Sequence, residues 1–277
     1  VTPGLRLRWT GDRFRAADGP GTVRIADSWL VADGLVRAFG AHTRRFSAAC
    51  AERFGIDPGP TQDFMQAVAG RLPAAGRWFP RVELVLDAGT PQFQLWIRPA
   101  TPPGRTVRLW LPAAPDGRTS PGIKGPDLDW LAHQRAAAVA AGADEAVLLS
   151  RSGRVLEGAT TSILWWRGDE LCAPPEDAGV LPGVTRLILL DLAASIGAAV
   201  SFRCPRPDEL AGLEVWAVNA LHGIRPVTGW VGADIEPGPA RRAARWQRYL
   251  DEFVIPVAAG HGKEPGNADS ALPAPQA

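Results

Sequence analysis

The sequence predicts a two-part α/β (α+β) fold, and three observations carry that expectation. Three segments alternate apolar and polar residues with period two: Val82, Leu84 and Leu86; Phe93, Leu95 and Ile97; Val107, Leu109 and Leu111. That is the pattern of strands with one buried face. Helical-period stretches precede them, giving an α+β half built on an antiparallel meander. A Pro/Gly/Ser-rich connector, Pro112 to Gly122, then leads into a second half in which strands and helices alternate. At 277 residues the chain can bury one large core or two smaller ones. The expected boundaries are a smaller N-terminal domain over 1–113, a linker over 114–122, a larger domain over 123–255 and a tail over 256–277. Gly, Ala, Pro, Asn and Ser dominate that tail and cannot sustain a core, so it is expected to be disordered.

In order, Val23–Ala26 and Trp29–Val31 read as strand, closed by the hairpin signal Asp33-Gly34 with Leu35–Phe39 as partner. Ala41–Phe54 reads as a helix whose inner face carries Phe46, Ala49, Cys50 and Phe54. After the break at Gly55–Pro60, Thr61 or Asp63 caps a second helix over Phe64, Val68 and Leu72. Beyond the three strands and the connector, Asp127–Ala141 is helical, with Leu128, Leu131, Arg135 and Val139 along one side. Glu145–Ser150 and Arg154–Glu157 are strands, and Ser162–Arg167 with Glu170–Ala173 form a hairpin around Gly168-Asp169. Leu181-Pro182-Gly183 turns into a helix over Val184–Ile196; Ala199–Arg203 and Val215–Val218 are strands, Pro207–Ala211 a short helix and Pro239–Phe253 the last helix.

Composition removes several function classes. A net charge of +1 gives no electrostatic footprint for nucleic acid or an anionic membrane. No apolar run reaches the length of a membrane span, and no signal-like segment stands at the start. Three widely spaced cysteines and four scattered histidines show no metal spacing and no disulfide framework, which fits a reducing, cytoplasmic setting.

One residue stands out instead. Of 30 basic residues only Lys124 and Lys263 are lysine, and Lys263 lies in the tail. Arginine serves charge and solubility equally well, but only lysine can lose its proton near neutral pH and act as a nucleophilic amine. Lys124 therefore points to amine chemistry such as a Schiff base; a lysine surviving by chance at a turn is the competing reading. Two further features matter. Leu181-Pro182-Gly183-Val184-Thr185-Arg186 runs a glycine turn into a helix, a geometry that presents free N–H groups to an anion. Glu157 ends a strand just before the polar turn Gly158–Ser162. Alone, each is more often ordinary structure: a glycine before a helix is common, and a lone glutamate is usually solvated. Together, an amine, an anion cradle and a carboxylate are what pyridoxal phosphate needs.

The order Ile123-Lys124-Gly125, Gly142–Ala146, Leu156–Ser162 and Val180–Arg186 resembles the class IV aminotransferases, the fold-type IV enzymes that use pyridoxal 5'-phosphate. The resemblance runs from about residue 20 to 255. It implies a two-domain fold like that of D-amino-acid aminotransferase, with the cofactor in the interdomain cleft, and a homodimer acting on a small-molecule amine. It assigns cofactor binding to Lys124, Arg45, Glu157, Val184 and Thr185, with further phosphate contacts around Asn219 and Ala220. Val218–Leu221 with Arg225-Pro226-Val227 is most similar to the aminodeoxychorismate lyase branch, which makes 4-aminobenzoate for folate biosynthesis and places a hydroxyl residue on the first hairpin strand. Ser28 holds that place, so Lys124 and Ser28 are the expected catalytic pair. A D-amino-acid or branched-chain transaminase, and a catalytically silent binding protein, are the alternatives. Two departures bear on the substrate side: Gly21–Ala26 replaces the usual aromatic and Gly-Asp-Gly pattern, and Asp87-Ala88-Gly89 stands where an Arg-Gly pair is common.

Overall fold

The computed structural model describes residues 4–17, 19 and 21–257. It divides into two compact units. The first unit holds residues 4–102, 123–126 and 253–257; the second holds 103–122 and 127–252. This partition differs from the expected boundaries, since the connector 114–122 falls within the second unit and residues 253–255 within the first. Residues 103–113 lie with the second unit, and the four residues around Lys124 lie with the first.

The first unit contains β1 (Leu5–Trp9), β2 (Phe14–Ala16), β3 (Thr22–Ser28), β4 (Val31–Ala32), β5 (Leu35–Arg37), α1 (Phe39–Phe54), α2 (Pro58–Ala69), β6 (Arg77–Trp78), β7 (Arg81–Asp87) and β8 (Thr90–Ile97). Its main sheet runs β2-β1-β8-β7-β3, antiparallel throughout. Register sorts the side chains, because residues directly opposite one another share a face. Leu7, Leu95 and Val82 are in register on one face, which Leu84 and its partner Phe93 continue. Against it pack Phe46 of α1 and Phe64 of α2, the latter ring stacked on Phe93 at 4.8 Å. Arg6, Trp96, Arg81 and Ser28 are in register on the opposite face. The sheet is thus apolar towards its helices and polar on its other side. Asp33 and Gly34 both have positive φ, the two-residue turn that Asp-Gly favours. The helix α2 begins on Asp57 with Pro58 in its first turn, not at Thr61 or Asp63; Thr61 is buried within it.

The second unit contains β9 (Val107–Trp110), α3 (Leu128–Ala140), β10 (Glu145–Leu149), β11 (Val155–Gly158), β12 (Ser162–Arg167), β13 (Glu170–Ala173), α4 (Val184–Ser195), β14 (Ala199–Phe202), β15 (Val215–Asn219), β16 (Gly223–Val231) and α5 (Ala243–Asp251). They form an eight-stranded sheet in the order β11-β10-β9-β16-β15-β12-β13-β14. Its core joins Val107, Leu109, Val147, Ile163, Trp165, Val215 and Val227.

The expected three-strand meander is corrected here. The third strand, β9, lies in the second sheet, parallel to both β10 and β16. Period-two alternation marks a strand with a buried face but carries no information about its partner. The connector is corrected as well. Asp116 donates its backbone N–H to Leu149, and Arg118 is nearly buried, so this stretch is built into the second unit. On α3 the buried residue is Ala138, while Val139 is 58% exposed; the inner side is one position off the expected stripe. The last helix starts at Ala243 rather than Pro239. A terminal strand, β17 (Val254–Pro256), pairs with β5, and Val257 is buried, so Pro256 is paired where the tail was expected to begin. The rest of that expected tail, 258–277, lies outside the described residues. No helix among the described residues is long and apolar enough to cross a membrane.

Candidate active site

Lys124 sits on a four-residue excursion of the chain into the first unit. Its carbonyl accepts the backbone N–H of Ala26 on β3 at 2.7 Å. Gly125 makes this docking possible. Its φ is +152°, and a Cβ there would overlap the backbone of Arg24 and Ile25. Gly125→Ala is therefore expected to destabilise the protein by more than about 1 kcal/mol and to displace Lys124. Denaturant melts and cofactor uptake would check this, and an alanine variant with unchanged midpoint and uptake would contradict it.

Part of Lys124 stays accessible, yet its amine is deep enough that dehydration dominates its acidity. Burial, then the nearby Arg45 charge, push its pKa down to about 8; Asp27 opposes them, and Arg81 and Arg98 add to the lowering. An amine in that range is part neutral near physiological pH, which nucleophilic attack requires.

Arg45 and Ser28 belong to the same unit, on α1 and the end of β3. Between them lies Asp27, which the sequence reading left without a role. Its side chain points to the helix face of the sheet, where Oδ2 accepts Arg45 Nε at 2.9 Å and Oδ1 accepts Arg45 Nη2 at 2.7 Å. Oδ1 also pairs with His42 Nδ1 at 2.8 Å and accepts the N–H of Ser28. Burial pulls the Asp27 carboxyl upward, but Arg45 and His42 outweigh it and hold it far below the usual carboxylate range. Burial pushes His42 the other way, below its ordinary value, despite Asp27. The hydroxyl of Ser28 is buried and has no hydrogen-bond partner among the described residues. It projects on the face opposite Asp27.

The second unit gathers the other expected residues. Glu157 is buried in β11, and its Oε1 accepts Arg118 Nη1 at 2.5 Å and the N–H of Leu181 at 3.0 Å. Arg118 is locked in turn by Asp116 and the Gly179 carbonyl. Burial raises the Glu157 pKa, and Arg118 pulls it back. The bond to Leu181 ties Glu157 to the turn that starts α4. There Gly183 is the N-cap without any side-chain cap, and a Cβ on it would crowd Ser162 Oγ. Val184 and Thr185 follow, both buried, in the first turn. First-turn N–H groups lack helical partners, so this end suits an anion.

The side chain of Asn219 organises its own neighbourhood: Nδ2 donates to the Thr160 carbonyl, and Oδ1 accepts from Leu221 and His222. What this segment can offer a ligand is the backbone around Ala220. Glu145 fixes the adjoining turn. It is buried, and its Oε2 accepts both the N–H and the hydroxyl of Thr160. Burial raises its pKa, opposed by Thr160.

Known proteins match the chain at the level of family and fold. The family model "Amino-transferase class IV" covers residues 24–230. The chain belongs to the class IV aminotransferases. A stretch of 85 residues is 32% identical to the aminodeoxychorismate lyase of Bacillus subtilis, spanning 30% of this chain and 29% of that protein. A stretch of 94 residues is 31% identical to a probable branched-chain-amino-acid aminotransferase of Synechocystis, spanning 32% and 30%. The chain thus aligns with under a third of the length of either relative. Over nearly its whole length it shares the fold of a fold IV transaminase, CpuTA1 from Curtobacterium pusillum, with TM-score 0.72 at 21% identity, covering 89% of this chain and 97% of that one. A hypothetical aminotransferase from Mycobacterium tuberculosis, in its PLP-bound form, gives TM-score 0.72 at 17% identity, covering 90% and 99%. The fold is therefore fold-type IV, mixed α/β.

Sequence reasoning missed Asp27, His42, Arg118 and Glu145. His42 and Arg45 stand three apart on α1, and Asp27 alternates out of register with Ser28; those spacings were the signal available.

Proposed function

We propose that this class IV enzyme uses pyridoxal 5'-phosphate to convert 4-amino-4-deoxychorismate into 4-aminobenzoate and pyruvate. The observation that carries the cofactor reading is Lys124, a buried amine with a pKa of about 8 in a body otherwise served by arginine. The remaining residues fit the group. An uncapped helix start at Gly183 suits its phosphate, and Glu157 keeps Oε2 clear of the bonds that occupy Oε1. Bound pyridoxal phosphate supplies an aldehyde that condenses with amines and a ring that accepts an electron pair.

The chain's residues would divide the work as follows. Lys124 Nζ takes a proton from the carbon bearing the substrate's amine and returns it elsewhere. Arg45, held by Asp27, would offer its guanidinium to a phosphate, and the backbone of Val184, Thr185 and Ala220 would offer N–H groups to the same kind of ligand. Glu157 Oε2 would face the ring nitrogen, and Arg118, bonded to Oε1, would favour the charged form of that carboxyl against the upward pull of burial. The buried hydroxyl of Ser28, without a hydrogen-bond partner among the described residues, would deliver a proton to the departing group.

Ser28 and the Bacillus relative support the lyase reading. The Synechocystis relative supports the second reading, a transaminase with the same residues. The separating experiment supplies aminodeoxychorismate and follows 4-aminobenzoate and pyruvate. Product without any added keto acid is expected; turnover only with an amino-acid and keto-acid pair would replace the lyase by the transaminase. An absorbance band removed by borohydride, with label on Lys124, is expected for the cofactor, and a colourless protein that takes up none would sink both readings. The homodimer and cytoplasmic location implied by the resemblance belong to the same proposal, and gel filtration tests the first.

A further inference from the structure

The polar face of the first unit's sheet carries more positive charge than its own structure uses. Three guanidinium groups gather around one ring: Arg6, Arg98 and Arg81 lie 4.1, 4.7 and 5.0 Å from the centre of Trp96. Among the described residues one carboxylate pairs with them. Glu83, with no exposed surface, accepts Arg6 Nη1 on Oε2 at 2.8 Å and Arg81 Nε on Oε1 at 2.6 Å. Arg98 instead donates its Nε to the Phe79 carbonyl at 2.9 Å. Among the described residues, three cations therefore share one anion. Dehydration, then the neighbouring Arg81, hold Arg98 down at about 10. Four polar atoms on the same face are buried without a hydrogen-bond partner among the described residues, Arg8 Nε, Ser28 Oγ, Gln92 Oε1 and Gln94 Oε1; Ser28 and Gln94 are each 5% exposed. Arg81 and Arg98 also act on the Lys124 amine, so this face and the reactive nitrogen are neighbours within one unit.

We propose that this arginine face binds both carboxylates of a dianionic substrate, which makes the enzyme selective for dicarboxylic amines over apolar amino acids. Stacking on Trp96 holds the guanidinium planes in place, so their forks meet a carboxylate with little loss of freedom. Arg98, lacking a carboxylate of its own, takes one, and Arg81, shared with Glu83 and directly opposite Ser28, takes the other. A monocarboxylate would leave one half-buried charge uncompensated, a costly state. The inference rests on the proposed function and adds to it the residues, Arg98 and Arg81, that would hold the substrate's carboxylates.

The test uses isophthalate and benzoate, one ring with two carboxylates or one, titrated calorimetrically into protein with and without pyridoxal phosphate. Isophthalate is expected to bind at least ~10-fold more tightly, as one further charge-assisted pair allows. Arg98→Gln should bring that ratio close to one, and Arg98→Lys, which keeps the charge, should recover part of it. A ratio near one in the wild type, or one untouched by Arg98→Gln, overturns the proposal. Cofactor absorbance and pyruvate release are read separately on the same samples. Pyruvate release with no dicarboxylate preference defeats this inference alone. A preference that depends on Arg98 in a protein that releases no pyruvate defeats the lyase reading alone.

Discussion

Lys124→Met should abolish turnover and, in the cofactor-free protein near neutral pH, make the fold more stable. Loss of the proton-moving amine is worth a factor of at least ~10³ in rate. The gain in stability follows from linkage. Lys124 falls from 10.5 to about 8 on folding, so the folded chain holds this proton less tightly than the unfolded one. Below about pH 8 both states are protonated, and the buried charge costs its full amount, on the order of 3 kcal/mol. Between 8 and 10.5 the unfolded chain binds more proton, so wild-type stability rises with pH. Above 10.5 both forms are neutral and the cost is gone. The advantage of the methionine variant should therefore be largest at about pH 7 and shrink steadily across that window in denaturant melts. A methionine variant that is less stable at neutral pH, or a gap that ignores pH, would remove the argument. Arginine at 124 would keep the charge and the cost together.

That amine was legible in sequence because composition is a whole-chain property: one lysine among the arginines of the body needs no tertiary information to be noticed. The hairpin at Asp33-Gly34, the glycine entry to α4 and the β12–β13 hairpin were legible because each is specified by neighbours in the chain. What stayed hidden depends on pairing across long separations. The alternation of Val107, Leu109 and Leu111 was read correctly as strand, but its partners are β10 and β16, the latter some 120 residues away in sequence. β16 itself escaped because Gly223, Pro226 and Gly229 break the strand pattern, which its neighbours β9 and β15 supply from both sides. Arg118 lay in a stretch whose prolines and glycines resemble a linker, and only the fold brings Asp116, Glu157 and Gly179 around it.

The polar pairs of the site share that property. Ser28 and Asp27 are adjacent in sequence and do opposite things, because a strand sends them to opposite faces. Ser28 joins the arginine face through its register with Arg81, while Asp27 reaches α1. A resemblance supplies Ser28 and Arg45 by position; it takes the helix packed on the sheet to show what holds Arg45.

Asp27→Ala should consequently cost about 3 kcal/mol or more, the usual result of removing one partner from a buried pair. It removes the carboxylate to which Arg45 donates through Nε and Nη2, which is also the acceptor of His42 and of the Ser28 N–H. The pH dependence is opposite in sense to that of Lys124. The folded Asp27 pKa lies well below its ordinary 3.8, so its contribution is complete above about pH 4 and is lost only as pH falls through the folded value. Acid titration of the wild type should thus close the gap to the alanine variant below about pH 4, while the gap stays constant from 5 to 7. Function supplies a second readout. If Asp27 aims Arg45 at a phosphate, the variant should lose affinity for pyridoxal phosphate by ~10-fold or more, as for one charge-assisted contact, yet bind pyridoxal without its phosphate as the wild type does. Equal loss for both would reduce Asp27 to a purely structural support. A phosphate-specific loss, partly restored in Asp27→Glu, would place it in the chain of contacts that orients the cofactor from behind the sheet.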